Sequence, residues 1–289
     1  MKRLLPVAAA LLLGACTTTP DEAVGPPAKE MLLAVTADHK LIRFNGGQPQ
    51  RIQSSLALKG LKPGEQVLGI DFRVARNQLY LLASSGQLYR VRVADATLEP
   101  IGAPAPLPAG GGEWGFDFNP TVDRIRVVHE TGANLRRHPD NGSQVDGNPG
   151  LDGMQGDGTI QFDAADVNAR RPVRLGAAAY TYNKQDEKLT TNYAIDVAQG
   201  LLVTQGTKEG VQPAVSPNTG RLFTVGPLGI GGFSRVQFDI SDVSNAAYIA
   251  VDEAGGDAIH RVDLASGKAM RIARVGAGGL QLRGIAIEP

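Results

Sequence analysis

Residues 114–142 open with Trp-Gly-Phe-Asp-Phe-Asn-Pro-Thr-Val-Asp-Arg-Ile-Arg-Val-Val-His and continue Glu-Thr-Gly-Ala-Asn-Leu-Arg-Arg-His-Pro-Asp-Asn-Gly. Apolar and polar side chains alternate at a period of two, interrupted by Asn-Pro and Thr-Gly, so the stretch reads as strand, turn, strand, turn, strand. A copy precedes it. With Gly69 set over Gly115, residues Phe72 to Tyr80 match Phe118 to Arg126 without a gap, at a spacing of 46 residues. That is the length of one four-stranded propeller blade. Val215 to Phe223 repeats the Pro, the turn and the Arg at the same offsets.

The two ends of the chain constrain topology. Arg283-Gly-Ile-Ala-Ile-Glu-Pro289 reproduces the inner-strand pattern of Gly115 to Pro120, whereas the first unit, from Met31, starts one strand late. Pairing the C-terminal strand with the N-terminal unit closes a ring and leaves no open sheet edge. Units starting near Gly69, Gly115, Gly158, Gly231 and Gly284 give an all-β propeller of five blades over residues 31–289. A strand pair within 205–231 leaves six open, and strand spacing alone also admits a β-sandwich pair. The 36 glycines and 18 prolines suit such a turn-dense domain.

The start of the chain has a different character. Met1-Lys2-Arg3, an apolar run from Leu4 to Leu13 and Gly14-Ala15 form an export signal too short to remain as a membrane span. Leu13-Gly14-Ala15-Cys16 resembles the lipobox of bacterial lipoproteins. The resemblance implies removal of residues 1–15 as a signal peptide and acylation of Cys16, with palmitate-type chains as the membrane anchor. Thr17 stands where an aspartate would retain the product on the inner membrane, so the expectation is an outer-membrane lipoprotein facing the periplasm. Residues 16–30, rich in Pro and Thr, read as a flexible tether. With the single cysteine used this way, neither a disulfide nor thiol catalysis is available.

Charge and motifs exclude several functions. With 29 basic and 29 acidic residues there is no electrostatic footprint for nucleic acid. His39, His129, His138 and His260 have no paired spacing for zinc, no Gly-x-Ser-x-Gly elbow exists, and no cofactor signature is present. The aspartates are more informative. Asp71, Asp117 and Asp239 alternate with large apolar residues on inner strands, where carboxylates either line the channel or hydrogen-bond neighbouring backbone. In the channel they would hold Ca²⁺ through oxygen ligands or a cationic ligand. Trp114 opens an inner strand, as a packing residue or as a stacking platform at the channel mouth. Asp146 to Asp166 do not fit the EF-hand spacing and read as turn residues.

Trp114 to Val128, Asn134-Leu-Arg136, Val145-Asp-Gly-Asn148, Ala177 to Thr181, Thr224 to Gly229 and Arg283-Gly-Ile-Ala286 together resemble the bacterial family called domain of unknown function 4394. The resemblance implies a secreted or envelope β-propeller-like domain and carries no established reaction. Lys208 to Gln212 looks like an insertion relative to that pattern. The functional expectation is a noncatalytic binding or scaffolding module that engages an envelope protein or component. The alternative is a Ca-dependent propeller hydrolase or lactonase-like enzyme, with a quinone-type redox enzyme ranked last.

Overall fold

The computed structural model describes residues 22–289, so the expected signal peptide and the expected lipidation site Cys16 lie outside the described residues. The chain opens with β1 (Met31–Thr36), β2 (Lys40–Asn45) and β3 (Gln48–Ala57). Blade 2 follows as β4 (Val67–Arg73), β5 (Gln78–Ala83), β6 (Leu88–Arg92) and β7 (Thr97–Ile101). Blade 3 has three strands, β8 (Trp114–Asn119), β9 (Arg124–His129) and β10 (Asn134–Arg137). The two-residue β11 (Gln161–Phe162) precedes blade 4, which consists of β12 (Leu175–Tyr180), β13 (Asn192–Asp196), β14 (Leu201–Gln205) and β15 (Arg221–Pro227). Blade 5 is β16 (Val236–Ile240), β17 (Ala247–Glu253), β18 (Gly256–Val262) and β19 (Ala269–Arg274), and the chain ends on β20 (Leu282–Ile287).

Each blade is an antiparallel meander, and the inner strands β4, β8, β12, β16 and β20 stand side by side around one axis. The protein is a five-bladed β-propeller. Ring closure follows the sequence expectation: β20 pairs with β1, setting Leu32 opposite Ile287 and Ala34 opposite Ile285. Thus the last strand of the chain is the inner strand of the first blade.

The repeated inner-strand glycine has a packing cause. A Cβ added at Gly69 would lie 2.6 Å from Phe116 Cβ, and one at Gly115 would lie 2.6 Å from the Ala178 nitrogen. Neighbouring inner strands approach too closely there for a side chain. Farther out, the core lies between blades, as the period-two pattern requires. On β9, Ile125 and Val127 pack against Tyr80 and Leu82 of blade 2, while Val128 packs with Leu175 and Ala178 of blade 4. Leu33 and Val35 meet Ile70 and Phe72 in the same way between blades 1 and 2.

Three sequence assignments change. The stretch after Gly158 is not the inner strand of blade 4. It forms β11, which lies parallel to β15 on the outer edge of that blade, with Gln161 opposite Arg221. The alternation of Ile160 and Phe162 marks burial, but local pattern does not say against which edge. The strand within 205–231 is β15, the fourth strand of blade 4, so the count is five and not six. Finally, Val215 to Phe223 spans the turn between third and fourth strands, whereas its two echoes span first and second.

Blade 3 lacks a fourth strand, and residues 143–157 cover the exposed edge of β10 instead. Val145 N donates to Arg136 O at 2.8 Å, and Asp157 N to Asn134 O at 2.9 Å. Residues 22–30, read as tether, have no regular secondary structure and are bonded to blades 1 and 5. Glu22 accepts from Arg271 Nη2 at 2.7 Å and from Arg274 N at 2.8 Å, Ala28 N donates to Asn45 Oδ1 at 2.7 Å, and Glu30 accepts from Ser244 Oγ at 2.7 Å.

Candidate functional site

Asp71, Asp117 and Asp239 occupy equivalent places on β4, β8 and β16, one residue before Phe72, Phe118 and Ile240. The ring brings all three to the axis, where one oxygen from each lies within 4.8 Å of the others. Ala179 on β12 and Ala286 on β20 fill the remaining two equivalent places. Strand geometry therefore turns a pattern spread over 168 residues of sequence into one cluster.

The backbone around this cluster is fully committed to it. Asp71 accepts from Phe72 N and Phe118 N, both at 2.7 Å. Asp117 Oδ1 accepts from Tyr180 N at 3.0 Å. Asp239 accepts from Ile240 N at 2.6 Å and Ile287 N at 2.5 Å. Each inner strand thus donates one N–H, and each aspartate ties its own blade to the next. Five donors meet six carboxylate oxygens. The sixth oxygen, Asp117 Oδ2, accepts no hydrogen bond among the described residues.

Electrostatically the cluster is unbalanced. The three side chains are about 95% buried, at 4–5% exposure, and no Lys or Arg among the described residues pairs with any of them. Burial pushes the Asp71 carboxyl well above the usual range, and the charges of Asp239 and Asp242 push it further. Asp117 is raised by burial and then by Asp71, Asp239 and Asp242. Asp239 is raised by burial and by Asp242. Asp242 itself is pushed up to about 7 by burial. Backbone N–H groups favour ionisation, but three buried carboxylates within 4.8 Å of one another resist ionising together without added positive charge.

The residues that follow the carboxylates on β4 and β8 face a cavity whose wall includes none of the three aspartates. This cavity, of about 250 Å³, lies where the inner strands end, lined by Phe72, Phe118, Tyr182, Asp123, Glu187, Asp242 and Arg73 among others. Arg73 is already neutralised, since it pairs with Asp123 at 2.5 Å and Asp140 at 2.5 Å. That leaves an acidic cavity with aromatic walls. In the other direction the axis is closed to a void of about 10 Å³ by residues that include Ile70, Phe116, Phe238 and Ile285.

Trp114 lies apart from the carboxylates, at the start of β8 and hence toward the opposite end. It is 7% exposed, packs in the core between blades 2 and 3, and stacks on His129 at 4.1 Å between ring centroids. The loop aspartates have structural partners: Asp157 binds Arg126 and Arg136, Asp163 binds Arg221, and Asp166 accepts from Thr224 N at 2.7 Å. Sequence reading missed Asp242, Glu187 and Arg73. Asp242 had a signal, because it follows Asp239 by three residues and so sits just past the strand end on the cavity side. Glu187 lies in an irregular loop and had none.

Fold and site together define a five-bladed propeller with a buried carboxylate cluster beneath an acidic axial pocket. The chain belongs to the family described as Domain of unknown function (DUF4394), whose model matches residues 40–286. No curated protein sequence matches it. Among solved structures it is similar to a structural genomics protein of unknown function from Bacteroides thetaiotaomicron, at 12% identity and a TM-score of 0.43, covering 85% of this chain and 58% of that one. The chain thus spans under two thirds of that protein's length. A second similar structure is YCF48 bound to D1 peptide, at 10% identity and a TM-score of 0.35, covering 89% of this chain and 72% of that one.

Proposed function

We propose that this protein is a lipid-anchored propeller of the bacterial cell envelope, a noncatalytic binding module whose axial pocket takes a cation. Cys16 carries the acyl chains, and the domain sits on the outer membrane facing the periplasm. A partner in the envelope, protein or otherwise, presents the cationic group or shares the ion. The observation that supports the cation is the cluster itself: three buried carboxylates in contact, with no basic partner and with one oxygen left without a donor. Two oxygens on opposite sides of Ca²⁺ at about 2.4 Å are separated by about 4.8 Å, and the carboxylate oxygens lie within 4.8 Å of one another. The five N–H bonds then serve as the outer partners that orient ligating carboxylates. Asp71, Asp117 and Asp239 would hold the ion through carboxylate oxygens. An organic ammonium would meet the same charge, with Phe72, Phe118 and Tyr182 as its apolar surroundings.

A second reading rests on Asp242. Burial pushes the Asp242 carboxyl up to about 7 in the cavity wall, which suits general acid–base work of the kind a hydrolase or lactonase-like enzyme would need. Calorimetric titration with Ca²⁺ and, separately, with hexylamine tests the binding reading. The expected result is saturable heat with at least one of them, lost in Asp117→Ala; heat from neither overturns it. Turnover of lactone or phosphoester substrates that is lost in Asp242→Asn would favour the enzyme. Palmitate labelling that survives Cys16→Ser would remove the anchor.

A further inference from the structure

A second cavity of about 350 Å³ opens on the same face, and Asn119 at the end of β8 lines both. Its lining is basic, with Arg124, Arg126 and Arg136. The sequence of β9 explains why. In Arg-Ile-Arg-Val-Val-His the apolar Ile125 and Val127 pack toward blade 2, so Arg124 and Arg126 share the other face. Arg136 stands opposite Arg126 in the β9–β10 register.

Two of these three guanidinium groups share one carboxylate, and the third has none. Asp157 accepts from Arg126 Nη1 at 2.6 Å and from Arg136 Nε and Nη2 at 2.7 and 2.8 Å. Arg124 spends Nη1 on the carbonyls of Val122 and Asp123. Its Nε and Nη2, and Nη1 of Arg136, find no acceptor among the described residues. The cavity is therefore positive, while the one across Asn119 has Glu187 and Asp242 in its wall and no unpaired base. Each cavity alone is at the small end for an organic ligand, and a molecule reaching across their common wall would use both.

We infer that the ligand of this face is a zwitterion, with its ammonium in the axial pocket and its carboxylate or phosphate against Arg124 and Arg136. This rests on the axial pocket accepting a cation. The fork of a guanidinium binds a carboxylate or a phosphate through paired N–H bonds, so either anionic group satisfies it. Tyr180 and Pro217 supply apolar wall to the basic cavity, matching the aromatic wall of the acidic one.

The test is calorimetric titration of the full chain, in chelator, with ω-amino acids of graded length from aminobutanoate to aminooctanoate. The matching alkylamines and alkanoates serve as single-ended probes. At the best length the amino acid should bind about tenfold more tightly than either matched probe, the value of roughly one charge-assisted contact. Arg124→Gln should bring the amino acid down to the affinity of its matched amine, and Arg124→Lys should restore part of the gain. Amino acids that bind no more tightly than amines at any length overturn the zwitterion while leaving the axial reading intact. Failure of the amines and amino acids alike overturns the zwitterion and the organic-ammonium form of the axial reading, and the Ca²⁺ form then stands or falls on its own titration.

Discussion

Two buried carboxylate sites join blades in this propeller, one a single aspartate and one a cluster of three, and they meet different partners. Between blades 3 and 4, Asp157 is met by Arg126 and Arg136, and Arg126 in turn bonds Asn134, Asn218 and Tyr180. On the axis, Asp71, Asp117 and Asp239 are met by five backbone N–H groups and by no basic side chain. Partial charges from N–H dipoles can orient a carboxylate, but they offset less charge than a guanidinium does. The inter-blade carboxylate finds its countercharge within the chain, and the axial ones need protons or a cation from outside.

The contrast can be broken at its complete end first. Asp157→Ala leaves Arg126 buried and unpaired, and should cost about 3–5 kcal/mol in urea unfolding, the usual result of removing one partner of a buried ion pair. A loss below 1 kcal/mol would mean that water enters the joint. At the axis, Asp71→Ala strands two buried N–H groups on different blades. It should cost about 2–4 kcal/mol by the same measurement, and an unchanged midpoint would show that the inter-blade bonds carry no weight.

A smaller effect separates charge from hydrogen bonding. Asp117→Asn keeps the acceptor for Tyr180 N and puts an amide donor where the unpartnered oxygen was. The sign follows from the raised carboxyls. In the fold they hold protons that the unfolded chain has released, so stability falls as pH rises from about 4 through the folded-state values; for Asp242 that value is about 7. Relative to wild type in chelator, Asp117→Asn should therefore gain on the order of 1 kcal/mol at neutral pH. The gain should shrink toward pH 4, where the wild-type cluster is protonated. Carboxylates with lowered values elsewhere, such as Glu22 and Glu30, act in the opposite sense but are common to both proteins and cancel in the difference.

Much of this contrast was legible in the sequence, for reasons visible in particular residues. Gly69 and Gly115 marked the inner strands because packing at the axis excludes a Cβ there. The alternation around Asp71, Asp117 and Asp239 placed all three on one side of their strands, and the closing strand at Gly284 was readable from its missing counterpart at Met31. The false echo at Val215 arose from turn chemistry. Asn77, Asp123 and Gly220 all adopt left-handed backbone at the same offset, with φ of 48°, 50° and 72°, so similar turns in different places gave similar strings. Parallel pairing of β11, and the cavity contributions of Glu187 and Arg73, depend on distant partners that no local pattern encodes.

The central claim is that the axial carboxylates lack a cation that the protein binds. It is tested most directly by melting wild type and Asp117→Asn at neutral pH, each in chelator and in millimolar Ca²⁺. The account predicts a crossing: the variant melts higher in chelator, and wild type gains with Ca²⁺ while the variant does not. Equal melting temperatures for wild type with and without Ca²⁺, together with a destabilised Asp117→Asn in both, would contradict it and leave the cluster as a purely structural clasp.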